Sequence, residues 1–472
     1  MLAVGIIIMC LIVAGVGFVS KLKVKSASDF VVASRSSSSV MVSGALLCSL
    51  VGSSSTVGTA EAAFKYGMTA WWQTLGSGIG TIIMAYLIAG FFYRKSEKDG
   101  TATIPQFLVH TYGPKLGILV ALFGAGAVFL STISQTKGFA ALVSSMLPGV
   151  SINVACGLCI IMVLLFIVFG GIFGTSYGGL IKMGAMYIGL IAATVVAINL
   201  SGGYGAMVST SDSLFGAEGW HWRNLFSRGI LNDSGTAISY FLGITCTQSY
   251  IQATLSAKDI KAARNGSILA GLICIPVGLL AIAVGLYMKA SFPDMTPSQV
   301  LPQFILMKFS PLAAGLIIGA LLLNILGSSA GLTLGLVTNI VRDVVAKLRK
   351  KEYSDKQMLM ALRVGVFLSC CLNAFFAMTN AGVLIQNLVS FSQNIRVCTN
   401  FVPMMFAIYY KGTKTHEAGF AAVLVGPVIS ILWKVLGTPF NVNSIIVGVI
   451  AALIAFMIAN TIFKKNYGPE QN

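Results

Sequence analysis

Apolar runs of about 20 residues recur along the whole chain, and each is long enough to cross a bilayer core of roughly 30 Å as a helix. Lipid offers no partners to an open backbone, so such runs must close their hydrogen bonds internally. Charged breaks divide the chain into about thirteen spans: 2–20, 38–66, 71–93, 116–146, 151–171, 175–200, 236–256, 266–290, 312–342, 358–379, 382–410, 416–437 and 443–463. The expected class is an all-α integral membrane protein, a single transmembrane domain over 1–472 with no soluble domain left over. Hydrophobic residues make up 56% of the chain and charged residues 10%, where soluble domains carry roughly 25% charged residues.

The formal net charge is +17. Its Lys and Arg fall mostly in short loops between spans, as in cytoplasmic loops under the positive-inside rule. No exposed basic domain remains to bind nucleic acid. An N-terminus outside and a C-terminus in the cytoplasm put Arg94, Lys95, Lys98, Lys258, Lys261 and Arg264 on the inside. The longer outside stretches 201–235 and 291–311 then hold Asp212, Glu218, Asp233 and Asp294 beside Arg223, Arg228 and Lys308. The first 20 residues lack a basic start and a small-residue cleavage site, and run into Lys21, Lys23 and Lys25. They read as a first span and not as a signal peptide. The expected location is the cell (inner or plasma) membrane, crossed many times.

All nine cysteines lie in apolar segments, including the Cys156-x-x-Cys159 pair, and are read as small apolar helix residues without disulfide or metal. His110, His221 and His416 are scattered and make no metal constellation. No nucleophile–base pair, metal-ligand set or cofactor loop points to an enzyme. Residues 103–112 read as a short surface helix opened by Pro105, with His110 at the interface.

Two spans look broken. The 38–66 span is interrupted by Gly52, Ser53, Ser54, Ser55, Thr56 and Gly58, and the 236–256 span carries Gly243, Thr245, Thr247 and Gln248. Irregular backbone at membrane depth belongs where it lines a cavity or is buried in protein. Carriers built from inverted repeats use such breaks to bind solutes and ions near the midplane. Repeats at about 38–200 and 236–410 place the two breaks at corresponding positions; ordinary small-residue packing is the plainer alternative.

Several motifs resemble one family, the sodium/solute symporters. Ser28-Asp29-Phe30-Val31-Val32-Ala33-Ser34-Arg35 is similar to its D-F-x-x-A-G-R lead-in, and Thr103-Ile104-Pro105-Gln106-Phe107 to T-x-P-x-F. Gln252-Ala253-Thr254-Leu255-Ser256-Ala257-Lys258-Asp259 resembles Q-R-x-L-A-A-K-D, with Ala253 in place of the Arg, and Asn339 to Asp343 matches the end of helix 8. The likeness runs in order from about residue 28 to 415. It implies a 13-helix, 5+5 inverted-repeat carrier of the LeuT type, with helices 1 and 6 broken, working by alternating access. A sodium site between helices 1 and 8 then falls on Cys48, Val51, Asn324, Gly327 and Ser328. Positions 324, 327 and 328 share one helical face.

The chain departs from that pattern in three places. Gly327 brings no hydroxyl. On helix 5, where the family has T-D-x-x-Q, this chain has Gly178, Gly179 and then Lys182. Leu50 stands where a proline carrier of the family has an aspartate. Lys182 can reach far on its four-carbon stem. Gly179 would let helix 5 approach helix 8, so the ammonium could replace the ion among the Cys48, Val51 and Asn324 carbonyls and the Ser328 hydroxyl. Some amino-acid carriers of this general fold use a helix 5 lysine so. The other reading is a lysine snorkelling to the interface.

Remaining charges at membrane depth are functional candidates. Lys137 lies in a polar run with Gln135, and Arg396 lies among Gln393, Asn394 and Asn400. Arg suits bidentate carboxylate binding, so an anionic or zwitterionic cargo is expected; outward snorkelling of Lys137 and carbonyl binding by Arg396 stay open. Glu61 and Lys65, four apart, are expected to pair. Family positions put Ser55, Thr247 and Ser390 at the cargo, with Ser53, Ser54 and Gln248 from the breaks; a serine cluster can also merely cap the broken helix. Trp71 and Trp72 suit an interfacial belt.

The expected function is secondary active transport of a small organic anion or amino acid, by a carrier functional as a monomer in the lipid bilayer. No cofactor is expected beyond a coupling ion, Na+ or H+. A conventional sodium-coupled symporter and a transporter-like solute sensor are the alternatives; the tail after Lys465 is short for a signalling domain. A channel has no selectivity filter in its favour.

Overall fold

The computed structural model describes residues 35–466 apart from 148, 218, 220, 349–352 and 380–383, together with residues 4, 8, 11 and 15. The 2–20 span, those four positions aside, and residues 28–34 of the lead-in motif lie outside the described residues. The first described span is split into α1 (Ser39–Leu50) and α2 (Val57–Tyr66). Next come α3 (Trp72–Leu87) and α4 (Ala89–Asp99), which turns away by 52°. Then follow α5 (Ile104–Tyr112), α6 (Pro114–Met146), α7 (Ile152–Leu200) and α8 (Tyr204–Ala217). The second broken span is α9 (Ile230–Thr245) and α10 (Gln248–Leu255), followed by α11 (Ile260–Ser291), α12 (Val300–Lys308) and α13 (Pro311–Asn339). The chain ends in α14 (Asp355–Thr379), α15 (Ile385–Tyr409), α16 (His416–Val435) and α17 (Ser444–Phe463).

Seven of the described helices are long and apolar enough to cross a membrane, or up to eight with the bent pair. The 38–66 and 236–256 spans fall short of that length because their backbones open at Val51–Thr56 and at Cys246–Thr247, as their Gly, Ser and Thr content implies. The 151–171 and 175–200 spans form one helix, α7, of 49 residues. No proline lies between 152 and 200, and isolated glycines, at about 1 kcal/mol each, weaken a helix without ending it. Its apolar stretches are Asn153–Leu164 and Ser176–Leu200.

Three stretches differ from expectation in burial or form. α5 is not a surface helix: Ile104, Pro105, Phe107, Leu108 and Tyr112 are buried, and the Tyr112 hydroxyl donates to the Pro403 carbonyl at 2.9 Å. Its apolar residues recur at helical spacing, and that stripe demands a partner. α8 and α12 form inside connections expected as loops; Val300, Leu301, Phe304 and Ile305 give α12 one buried face. At its far end α13 passes into a π-turn over Ile340–Val345.

α1 is the buried centre, packed between α7, α11 and α13. Small residues permit the approach, as expected where lipid gives helices no hydrophobic drive to associate. A Cβ on Gly179 would run into the Gly44 carbonyl, and one on Gly266 would sit 2.7 Å from the Ser39 oxygen. Gly179 itself therefore faces α1 and not α13, while α7 packs along both helices. Ser37 bridges to the end of α10, its N–H donating to Ser256 O and its carbonyl accepting from Lys258 N, both at 2.9 Å.

Candidate functional site

A helix that stops in the middle of a membrane leaves its last carbonyls without intrahelical donors. At the end of α1 each finds another. Leu47 O accepts from Val51 N at 3.1 Å, Cys48 O from Lys182 Nζ at 2.7 Å, Ser49 O from Ser328 Oγ at 3.0 Å, and Leu50 O from Ser55 Oγ at 3.3 Å. Within the break, Val51 O accepts from Lys182 Nζ at 2.6 Å, and Gly52 O from Thr56 Oγ1 and Asn324 Nδ2 at 3.0 and 3.3 Å. The unwound stretch is thus held almost wholly by side chains, which is why it is so rich in hydroxyls.

Lys182 extends from α7 and is fully buried, so it does not snorkel. Its third bond goes to Asn324 O on α13 at 3.0 Å. An ammonium has three hydrogens to donate, and here three carbonyls take them. The charge lies at the C-terminal end of α1, where the helix dipole favours a cation. Ser328 is not a partner: its hydroxyl turns to Ser49 O. Gly327 completes the arrangement by what it lacks. A Cβ there would lie 3.0 Å from Lys182 Cδ and 3.1 Å from Cys48 Sγ, so the bare residue makes room for the lysine stem. Cys48 Sγ donates to the Gly327 carbonyl at 3.1 Å.

The second buried cation is Arg396 on α15, 1% exposed. Its guanidinium donates to Thr247 Oγ1 in the α9–α10 break at 2.7 Å, to Ser131 Oγ on α6 at 2.8 Å, and to Ser392 Oγ and O at 2.7 and 3.2 Å. None of the three ion pairs found among the described residues includes it. Neutral hydroxyls therefore hold a charge that no carboxylate balances there. In the sequence Ser131 reads only as part of the polar run before Lys137, and Ser392 went unnoticed, although it stands one helical turn before Arg396.

The remaining candidates separate. Ser53 N donates to Gln135 Oε1 at 2.7 Å and Ser53 Oγ to Ser134 O at 3.0 Å, joining the break to α6, while Ser54 is buried and its carbonyl accepts from Thr59 Oγ1 at 2.9 Å. Ser55 caps α1. Lys137 borders a cavity of about 370 Å³ with Glu61, Lys65, Thr296, Gln299 and Ile385. Glu61 does not form the expected ion pair with Lys65: its carboxylate accepts from Ile385 N at 3.1 Å, at the start of α15, and it lines the cavity with both Lys65 and Lys137. The α2 surface turns Glu61 inward, while Lys65 is exposed.

Ser390 and Asn394 lie away from Arg396, beside a polar pocket with Arg228, Asn232 and Asn443. Asn394 Nδ2 donates to Asn443 Oδ1 and Ser444 Oγ, both at 2.9 Å. Residues two apart on a helix face opposite ways, so 394 and 396 cannot share a site. Gln248 lines a narrow seam that also reaches Arg396, but its amide is engaged with the backbone ahead of α5, Nε2 donating to Ala102 O at 2.9 Å and Oε1 accepting from Ile104 N at 3.0 Å.

Residues 30–426 match the model of the sodium:solute symporter family. Among curated proteins, the osmoregulated proline transporter OpuE of Bacillus subtilis (strain 168) is 24% identical over 424 residues, 87% of this chain and 84% of that one. A sodium/proline symporter of Staphylococcus aureus is 25% identical over 435 residues, 87% and 82% of the two chains. A Na+-coupled sialic acid symporter in its substrate-bound, outward-open state superposes with a TM-score of 0.79 at 16% identity, covering 99% of this chain and 98% of its own. MhsT in complex with L-phenylalanine gives 0.59 at 15% identity, over 90% and 99%.

Proposed function

The chain belongs to the sodium:solute symporter family and is a secondary active membrane carrier; from that premise we propose that its cargo is a small carboxylate or amino acid and that Lys182 stands in the place of a coupling sodium ion. Sodium is the ion that the family implies. The observation that carries the ion reading is the set of three carbonyls, Cys48 O, Val51 O and Asn324 O, lying 2.6–3.0 Å from one ammonium. A sodium ion needs those same oxygens. Two unit charges within about 4 Å repel by roughly 4 kcal/mol even at an effective dielectric of 20, so ion and ammonium exclude each other. Gly327 and the engaged Ser328 hydroxyl remove two further ligands. Residues present at this place do not fit a sodium ion while the lysine is charged.

Arg396 supports the cargo reading. A fully desolvated guanidinium is costly unless paired, and a cargo carboxylate can take two parallel bonds from its planar fork. Its contact with Thr247 lies in the α9–α10 break, so arrival of an anion there bears directly on the backbone that opens α10. Both proline-carrying relatives move an amino acid with such a carboxylate. The carrier then works without sodium at this site, with a proton exchanged at Lys182 as its driving ion. A sensor role has no observation in its favour.

The test is thermal unfolding of the purified carrier in sodium or potassium chloride, for wild type and Lys182→Ala. A ligand bound only by the folded state at a hundred times its Kd stabilises by about 2.7 kcal/mol. Wild type is expected to ignore sodium and Lys182→Ala to unfold several degrees lower. Specific sodium stabilisation of wild type would overturn the ion reading.

A further inference from the structure

We propose that Gln248 is the latch of a closed exit path, holding α10 to the Ala102–Ile104 backbone until cargo leaves toward the side whose basic loops mark it as cytoplasmic. Gln248 is the first residue of α10 and 2% exposed. Its amide pairs with both backbone groups of an extended stretch, Ala102 O and Ile104 N flanking Thr103 at φ −132° and ψ 154°. A side-chain amide can donate and accept there at once without carrying a charge. The clamp joins a short half-helix that follows a break to the start of another short helix.

Behind the clamp runs a seam from Arg396 to the α5 end, lined by Ile104, Pro105, Cys246, Gln248, Asn339 and Asn400, with no room for a water molecule. Two acceptors in it, Asn339 Oδ1 and Asn400 Oδ1, are buried without hydrogen-bond partners. Buried polar atoms are ordinarily satisfied, and a polar lining left unsatisfied suits a passage that fills with water in another state. The seam starts at the cation proposed for cargo and ends at the latch. At its other end α10 is bridged to Ser37, ahead of α1. Once Gln248 lets go, the inner halves of both broken helices can therefore swing as one body.

The latch rests on the chain being a carrier and not on what fills the ion site, so failure of the Lys182 experiment leaves it standing. Cys246 lines the seam and is 1% exposed. Its alkylation by a membrane-impermeant maleimide, read by mass spectrometry on the full chain, reports opening. In inside-out vesicles Gln248→Met is expected to label Cys246 roughly ten- to a hundredfold faster than wild type, the factor for two lost net hydrogen bonds. Right-side-out vesicles should label it no faster than wild type. A merely structural glutamine would lower the unfolding temperature without that one-sided gain. Unchanged labelling from the inside in a folded variant, or an equal rise from both faces, overturns the proposal. Should Gln248→Met not fold, Gln248→Asn, which keeps the amide but withdraws it by one methylene, carries the same expectation.

Discussion

Lys182 and Gly327 are two halves of one arrangement, and a double-mutant cycle can measure it. Lys182→Ala strips the donor from Cys48 O, Val51 O and Asn324 O. An orphaned buried acceptor costs about 1–3 kcal/mol, and because water can enter the space of the lost stem, about 3 kcal/mol is expected for the three together. Gly327→Ser alone forces a Cβ to 3.0 Å from Lys182 Cδ and 3.1 Å from Cys48 Sγ; overpacking of this kind costs about 1–3 kcal/mol. In the double variant the clash with the lysine stem is gone, leaving only the Cys48 Sγ contact, and a serine hydroxyl joins three free carbonyls. Neighbouring substitutions that share partners couple by about 0.5–3 kcal/mol, so the double variant should be no less stable than Lys182→Ala in potassium chloride. In sodium chloride at a hundred times the Kd it should regain about 2.7 kcal/mol. The assay is unfolding of the four proteins in each salt. Additive losses together with no sodium response in the double variant would refute the reasoning, because the four oxygens would then not form a cation site even when emptied of lysine.

Arg396→Lys keeps the charge but loses the planar fork; if the guanidinium holds cargo carboxylate, KM for uptake should rise at least about tenfold, the worth of one charge-assisted bond of roughly 1.5–3 kcal/mol. An unchanged KM in a stable variant would refute the cargo role. Gly179→Ala drives a methyl onto the Gly44 carbonyl and should cost about 1–3 kcal/mol or more, seen as a lower unfolding temperature. Gly184→Ala, with open space at its Cβ, should leave that temperature within a degree or two; equal effects of both would show that α7 does not pack as described.

Proximity of Lys182 to Cys48, Val51 and Asn324 is what the resemblance to the symporter family implies, since it puts an ion site on those positions; helical spacing by itself shows only that 324, 327 and 328 share a face. Which hydroxyl completes the set is not legible. Ser328 and Ser55 could each reach a cation or a carbonyl, and only the position of the opened α1 end gives Ser49 O to one and Leu50 O to the other. Likewise Gln248 reads as a polar residue in a break, and nothing local says that its amide meets a backbone some 145 residues earlier in the chain, |i−j| being 144 and 146. Family position places Ser390 at the cargo and closeness in sequence places Asn394 with Arg396, although a two-residue step on a helix turns a side chain to the opposite face.

Sequence alone determines that this chain is a stack of membrane helices, because runs of such length and apolarity have no other way to satisfy their backbones in lipid. It also marks the two breaks, since Gly, Ser and Thr at membrane depth supply both the freedom to unwind and the hydroxyls that hold the result, and it marks the excess of buried cations. Tertiary structure decided the rest. Whether Glu61 meets Lys65 or Ile385, whether α5 lies on the surface or against α6, and whether Gly179 faces α13 or α1 all depend on which helix is brought alongside. Those contacts join residues far apart in the chain, and their energies belong to the pair and not to either residue, so no local pattern carries them.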